Sequence, residues 1–479
     1  LMQKVGNKPY ISVNYTFDGL TPAGLPEDLC YKLNQYYEQK LRQDKTAHDK
    51  IEFEIIFNTY DFMTDTRLKE LAEYGFDDVE ISQLRNALFE IAKQTLEHYD
   101  EICEEDLRSL GQLTELRHEL RKHSPLAETN VMKLYSYIDE LLDSIKDHGT
   151  PQFTRQARCA FMARSFCRTL VEKGYFTKQE MDDFMLSIPT VASEFERDFD
   201  LYSHGKLSRD DFNHLYGHLR LGTYDIRSDS YRNIYFDVAS ANLTGNNKVK
   251  QEAKSLDLER LQVALDEAGI PVTPEKFIEF IKKATQNREY FKFEFTKSLS
   301  LMLDVIVKLG EVMAIAREDM SYLEIQDLLS YHSRDSYIQT IETRRRFYHV
   351  NSYLVLPEVI FDVGDIDVID IDEARPNFIT NKVVEAPIVN LDEDHDSDIT
   401  GKIVALTKAD PGYDWIFAKD IAGFVTKYGG AASHMAIRCA EFGIPAAIGC
   451  GEKIYQRIHR MQIMCLDCEN GRITEKQSQ

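Results

Sequence analysis

Among the residues of this sequence, one histidine at the start of a predicted helix has the neighbours best suited to a chemical reaction. In Gly423–Pro445 an apolar strand runs to Val425, a glycine pair follows, and Ser433 and His434 open the next helix. Unpaired backbone N–H groups and the positive end of the helix dipole meet at such a point, and both favour a bound phosphoryl group. Such a helix start could hold a phosphoryl group on His434, whereas for a Ser-His pair taken alone a capping or packing histidine is the favoured interpretation.

A second group of reactive side chains lies upstream, within Tyr216–Arg227. Arginine binds carboxylate or phosphate through paired hydrogen bonds, and histidine or aspartate can move a proton. These types occur together in this short stretch as His218, Arg220, Tyr224, Asp225 and Arg227. The stretch predicts a site for a small anionic acceptor, and the alternative is a helix-ending turn with a solvated charged face.

Other polar groups carry weaker signals. Arg288 and Arg317 precede acidic residues on long helices, so they either tie helices together or face an anion. Cys465 and Cys468 form a lone C-x-x-C pair without a second pair or neighbouring histidines, which favours core packing over zinc or redox chemistry. We predict no metal site in this chain.

The composition of the chain disfavours several classes of protein. The chain has 479 residues and a formal net charge of −23, which disfavours nucleic acid and anionic membranes as partners. No apolar run approaches the roughly 18 residues of a membrane-spanning helix. Eight scattered cysteines fit reduced thiols better than a disulfide framework. We therefore expect a cytoplasmic protein of several domains.

Periodicity divides the chain into four parts. Residues 1–24 resemble a strand segment left at a junction with a missing domain. Residues 25–346 show helical spacing, as in Ile81–Tyr99, and predict one large helical domain. Residues 347–399 predict a β-rich connector, with a strand from Tyr348 and a mobile acidic linker. Residues 400–479 alternate short strands with helices and predict a small α/β domain.

The pattern around His434 resembles the phosphohistidine swivelling domain of the PEP-utilising enzymes, related to phosphoenolpyruvate synthase and pyruvate phosphate dikinase. The matching positions include Thr426, Gly429, Gly430, Ser433, His434, Glu441 and Gly443–Pro445. The resemblance implies that His434 carries the phosphoryl group and that Thr426, Gly429, Gly430 and Ser433 surround it. Two positions depart from the family pattern, because Ala440 stands where an arginine is common and Cys439 replaces a small residue.

The order of the parts implies more about the fold. A helical domain followed by a swivelling domain is similar to rifampin phosphotransferases, in which an ATP-grasp domain comes first. The resemblance implies ATP and Mg²⁺ as cofactors, bound mainly by such a domain in cis, with AMP and phosphate as co-products. Because residues 1–345 contain no glycine-rich phosphate loop, we expect the ATP-grasp domain to be absent from this chain.

Within the family the chain is most similar, in its general pattern of residue types, to the L-glutamine kinases of capsule phosphoramidate biosynthesis. The similarity is clearest in Phe57–Phe62 and Ser433–Gly451. The resemblance implies that the small α/β domain swings about a 386–399 linker and presents the phosphoryl group to the amide of L-glutamine. We predict His218 as the base toward this acceptor. The predicted acceptor-binding residues are Arg220, Tyr224, Asp225, Arg227, Arg288 and Arg317.

Two other functions remain open. The acceptor could be a hydroxyl group on an antibiotic or a sugar, as in the rifampin branch. The chain could instead be a non-catalytic scaffold or regulatory protein that keeps the swivelling fold for partner binding. The intact Gly-Gly-x-x-Ser-His stretch argues against the scaffold, because a scaffold has no use for an imidazole at a helix N-terminus.

Overall fold

The helices and strands of this chain form two compact units. The computed structural model describes residues 2–222, 224–233, 255–351, 356–362, 376–392, 397–408, 411–431 and 433–476. The first unit, which we call the helical unit, draws on Leu1–Ala47, Ile51–Val191 and Val249–Leu354. The second, the sheet unit, draws on His48–Lys50, Ala192–Lys248 and Val355–Gln479. The predicted multidomain layout is confirmed.

The helical unit opens with a β-hairpin and continues almost entirely in helices. The hairpin pairs β1 (Met2–Val5) with β2 (Lys8–Ile11). The longer helices are α1 (Val13–Leu20), α2 (Glu27–Gln43), α4 (Asp78–Lys122), α5 (Val131–His148), α6 (Thr150–Glu172), α7 (Lys178–Leu186), α10 (Leu258–Ala268), α11 (Pro274–Val312) and α14 (Arg334–Asn351). Short helices α3 (Thr64–Arg67), α12 (Arg317–Met320) and α13 (Ile325–Leu329) join them.

Local sequence explains where the long helices begin and which face they bury. Asp77 caps α4 in a capping box with Glu80, and buried Leu84 and Leu88 start an apolar stripe at four-residue spacing. Helix α11 packs against α4, α5 and α6 and forms the centre of the unit. The predicted helix from Arg288 is confirmed, although it begins earlier, where Thr273 caps the first turn.

Two strand predictions in this unit are wrong in part or in whole. The strand segment expected within residues 1–24 is confirmed for Tyr10 and Ile11, which lie in β2, but Val13 and Tyr15 lie in α1. The strand expected from Tyr348 is replaced by the last turn of α14, which runs to Asn351. In both places a helix overrides the β preference of Val and Tyr, since β propensity is weak wherever no neighbouring strand offers a partner. The predicted strand at 362–373 falls almost wholly outside the described residues.

The sheet unit is built on seven strands in the order β3-β7-β6-β5-β4-β8-β9. They are β3 (Asn377–Ile379), β4 (Val383–Asn390), β5 (Ile403–Lys408), β6 (Gly423–Tyr428), β7 (Ala446–Ile448), β8 (Ile463–Asp467) and β9 (Arg472–Glu475). Strands β4, β5, β6 and β7 run parallel. Helices α15 (His434–Glu441) and α16 (Gly451–Ile458) follow β6 and β7. This is the α/β alternation predicted for residues 400–479.

The connector predicted at 347–399 is β-rich near its end, as expected, but its strands are not separate from the predicted small α/β domain. Strand β3 pairs with β7, and β4 lies between β5 and β8, so both belong to the sheet. Leu391 and Ile399, on either side of the acidic run, are core residues of the same unit. The predicted 386–399 hinge therefore starts inside a strand, and residues 393–396 lie outside the described range.

Helices α8 (Val191–Ser203) and α9 (Arg209–Tyr216) differ from the prediction in another way. The sequence analysis placed them in the large helical domain, whereas they group with the sheet unit. The stretch after α9 packs on the sheet unit, where the hydroxyl of Tyr231 donates to the carbonyl of Gly412. Among the described residues no helix combines the length and the apolar character needed to cross a bilayer.

Candidate functional site

His434 occupies the first helical position of α15, as predicted. Ser433 is the N-cap, and its hydroxyl accepts a hydrogen bond from the amide of Ala436 at 3.3 Å. At the other end Gly443 adopts φ +60°, which stops the helix before β7. The cap and the stop are local features of this short stretch, so the sequence alone placed the imidazole at the positive end of the helix.

Close packing around the loop between β6 and α15 requires glycine both in the loop and after β7. A Cβ on Gly449 would lie 2.3 Å from the carbonyl oxygen of Gly429, and one on Gly430 would lie 2.9 Å from a carboxylate oxygen of Asp49. Thr426 ties the same region together, because its buried hydroxyl accepts from the amide of Gly449 at 3.1 Å. Thr426, Gly429 and Gly430 thus shape the loop before His434, and their predicted contact with a phosphoryl group stays a prediction.

A carboxylate that the sequence analysis missed holds the imidazole. Both side-chain oxygens of Asp414 lie 2.7 Å from Nε2 of His434, and both side chains are about nine-tenths buried. An ionised carboxylate can only accept, so Nε2 carries a proton in this arrangement. The pair fixes the tautomer and orientation of the ring and places a negative charge against it. Such a charge stabilises the positive imidazolium that forms when a ring nitrogen attacks phosphorus.

An arginine behind this pair completes a buried charge network. Nε of Arg438 lies 3.7 Å from Asp414, and one Nη lies 3.1 Å from the carboxylate of Glu441. The guanidinium is buried between the rings of Phe417 and Phe442, at 5.5 and 4.3 Å from their centroids. Arg438 follows His434 by four residues on α15, and this spacing is the one signal that could have identified it.

The predicted acceptor residues around 216–227 form an internally bonded loop. His218 is 4% exposed and Arg220 is 1% exposed, and Arg220 donates to the carbonyl of Ser228 at 2.6 Å. Arg227 binds both carboxylate oxygens of Asp225, and these hydrogen bonds hold the pKa of Asp225 below its usual value. Tyr224 is exposed. The acceptor role of these five residues stays a prediction, and the loop's charges already have protein partners.

This loop packs directly beside the segment that carries Asp414. Within the sheet unit, Arg220 lies so close to the 3₁₀ segment Pro411–Ala418 that a Cβ on Gly412 would stand 1.7 Å from the Arg220 carbonyl oxygen. The Tyr231 hydroxyl adds a 2.5 Å hydrogen bond to the Gly412 carbonyl. The 216–231 stretch therefore supports the position of Asp414, which is a structural task that the sequence analysis did not foresee.

The remaining predicted residues lie elsewhere. Arg288, on α11, pairs with Glu289 at 3.3 Å, and Arg317 begins α12, so both belong to the helical unit. Cys468 is buried in the sheet unit, where burial raises its pKa to about 11, as expected of a packing residue. In the part of the chain that the structure describes, no group of three or more His, Cys, Asp or Glu side chains could hold a metal ion.

Comparison with known proteins supports this site. The family described as "PEP-utilising enzyme, mobile domain" matches residues 399–471, which include the whole stretch from β5 to β8. The chain is also 27% identical over 222 residues to the rifampicin phosphotransferase of Bacillus subtilis (strain 168). That similarity covers 42% of this chain and 24% of the relative, so the match spans about a quarter of the relative's length.

Proposed function

Because the chain carries the mobile domain of the PEP-utilising enzyme family, we propose that it is a phosphotransferase in which His434 carries the phosphoryl group. One observation carries this proposal: Nε2 of His434 lies 2.7 Å from the buried carboxylate of Asp414 at the capped start of α15. A histidine that only capped the helix would not need a buried counter-charge, and burying a carboxylate is costly unless it is paired, as Asp414 is with the imidazole and with Arg438.

We propose ATP, with Mg²⁺, as the source of the phosphoryl group. In this scheme His434 keeps the β-phosphoryl group, and AMP and inorganic phosphate leave after water takes the γ-phosphoryl group. We propose that ATP and Mg²⁺ are held mainly by an ATP-grasp domain. The contribution of this chain is the imidazole, the charge of Asp414 and the donors at the start of α15.

As acceptor we propose the side-chain amide of L-glutamine. The bond between phosphorus and the imidazole nitrogen breaks, the ring recovers its lone pair, and a new bond forms from phosphorus to the amide nitrogen. The amide loses one proton, and His218 is our candidate to receive it. Since His218 is buried, this role requires the loop after α9 to open. Transfer between two P–N bonds involves a small change in bond energy, which makes an amide acceptor feasible.

A hydroxyl acceptor is the second candidate, favoured by the similarity to a protein named rifampicin phosphotransferase. The two candidates share the same carrier and differ only in the final step. Incubating the phosphorylated protein with glutamine or with rifampicin and following loss of the label would separate them. We expect loss with glutamine.

The carrier is tested by labelling the protein and mapping the label. The protein is incubated with ATP and Mg²⁺ and, separately, with phosphoramidate, a small donor that phosphorylates imidazole directly and needs no nucleotide site. We expect one acid-labile phosphoryl group, located by mass spectrometry at alkaline pH on the peptide that contains His434. The other twelve of the 13 histidines serve as internal controls. A label spread evenly over the histidines, or none at His434, would contradict the proposal and favour a scaffold protein.

A further inference from the structure

One arginine of the helical unit has no acceptor of its own. Arg164 lies on α6 with an exposed side chain, and its guanidinium sits 4.9 Å from the centroid of the Phe53 ring. Within the described residues it makes neither a hydrogen bond nor an ion pair. Arginine has five N–H donors in a planar fork. A guanidinium that is held in place without a protein acceptor can therefore bind a carboxylate or phosphate ligand.

Two of the charged neighbours of Arg164 are arginines that have acidic partners of their own, and the third, Glu52, raises the pKa of Arg164 without forming an ion pair with it. Arg168 pairs with Glu172 at 3.5 Å and donates to the carbonyl of Phe53 at 3.0 Å. Arg288 pairs with Glu289 at 3.3 Å. Arg164 is therefore the one member of this group of three arginines that the described residues leave without a counter-ion within ion-pair distance.

Arg164 is exposed to solvent and yet lies close to many protein atoms. Burial by these atoms lowers its pKa, and the charge of Arg288 lowers that pKa further, while the charge of Glu52 acts in the opposite direction. Solvent contact together with desolvation is expected of a group on the wall of a cleft. An anion in the cleft would relieve the repulsion between the two guanidinium groups.

Aromatic rings line the same place. Phe53 and Phe161 meet edge to face with centroids 5.6 Å apart, and the Arg288 guanidinium lies 5.9 Å from the Phe161 ring. Phe161, Arg164 and Arg168 are three and four residues apart on α6, so they share one face of that helix. Phe53 comes from a π-helical turn, Ile51–Ile55, a rare geometry that is frequent at functional sites.

We propose that this recess, formed by Phe53, Phe161, Arg164, Arg168 and Arg288, binds the carboxylate of a small amino-acid acceptor through Arg164. Among the described residues Arg164 has no ion-pair partner, and one such guanidinium matches a single carboxylate in its two-pronged geometry, whereas a phosphate dianion would call for a second cation of this kind. The identity of the acceptor rests on the proposed function. The binding residues are separate from the 216–227 loop, where Arg220 and Arg227 already have protein acceptors.

Calorimetric titration of the protein with L-glutamine tests the site. We expect binding by the wild type, a loss of affinity of tenfold or more in Arg164→Gln, and a smaller loss in Arg164→Lys, which keeps the charge but not the fork. L-Glutaminamide, which lacks the carboxylate, should bind the wild type no better than it binds Arg164→Gln. Arg108→Gln removes an exposed arginine from α4 and should bind glutamine like the wild type.

A stability measurement separates binding from a structural role. Because Arg164 has no acceptor among the described residues, and two arginines and one glutamate as charged neighbours, Arg164→Gln should melt at the same temperature as the wild type or higher. A fall of several degrees would show that the guanidinium holds the fold together, and it would overturn the proposal.

Two further outcomes would also overturn it. Equal glutamine affinity in Arg164→Gln and in the wild type would remove the residue from the site. Inorganic phosphate that binds in an Arg164-dependent way while glutamine does not would replace the carboxylate site with a phosphate site. Labelling of His434 with phosphoramidate is measured on the same variants and should not change. Failure of that labelling in the wild type would count against the carrier, whereas failure of the titration alone would count against the recess.

Discussion

The variant Asp414→Asn should acquire the phosphoryl group on His434 at least a hundredfold more slowly than the wild type. The asparagine side chain has nearly the same shape but no charge, so it neither imposes the Nε2–H tautomer nor stabilises the imidazolium formed during transfer. Loss of an orienting carboxylate beside a reacting histidine typically costs a factor of 10² to 10⁴. The measurement is the rate of acid-labile labelling with phosphoramidate, followed by mass spectrometry.

Two matched variants make this result specific. Asp420→Asn changes an exposed aspartate shortly after the same segment and should label at the wild-type rate. His434→Asn, which lacks the imidazole, gives the background level of labelling. Near-normal labelling of Asp414→Asn would show that the carboxylate only fills space beside Arg438, and the proposed role of the His434–Asp414 pair would then have to be abandoned.

The variant Gly412→Ala should destabilise the sheet unit by about 3 kcal/mol, among the larger effects of single substitutions. The new Cβ would stand 1.7 Å from the carbonyl oxygen of Arg220 and 2.3 Å from the Cα of Leu221, and both are backbone atoms that cannot rotate away. The 216–231 stretch and the Pro411–Ala418 segment must separate. Because that segment carries Asp414, labelling of His434 should slow as well.

The single tryptophan of the chain makes this prediction measurable. Trp415 lies in the Pro411–Ala418 segment, so its fluorescence reports urea unfolding at the place where the clash occurs. We expect a clearly lower midpoint for Gly412→Ala. Gly111→Ala is the control, since its Cβ would meet nothing within 4 Å in α4 and alanine favours a helix by roughly 0.5–1 kcal/mol. Equal midpoints for Gly412→Ala and the wild type would contradict the close approach.

The His434 end of the site could be predicted because its determinants are local. The cap by Ser433, the helix stop at Gly443 and the strands on either side follow from residues close to one another in the chain. No local sequence feature indicated that Asp414 belongs to this site. It precedes His434 by 20 residues, and it reaches the imidazole only because β5 and β6 run parallel and the connection between them crosses over the start of α15.

The predicted bounds of the 386–399 linker were wrong at their start for a related reason, because residues up to Asn390 lie in β4. The acidic run at 392–398 suggests a solvated linker, but whether its flanks are buried depends on pairing that composition does not reveal. Strand β4 pairs with β5 in parallel and with β8 in antiparallel, and this places Leu391 and Ile399 in the core. Likewise, the charged 216–227 stretch suggested a binding site, whereas its arginines and aspartate bind within their own loop.

What the sequence determined by itself was therefore the place of His434 at a capped helix start, the helical and α/β character of the two parts, and the similarity of residues 399–471 to the mobile domain of the PEP-utilising enzymes. Only the tertiary structure decided which carboxylate faces His434, which arginine lacks an acceptor, and which charged segments are satisfied internally. The physical reason is the separation along the chain between the residues that interact. Caps and turns are set by interactions within a few residues, whereas the partner of a charge is chosen by packing between segments far apart in the chain.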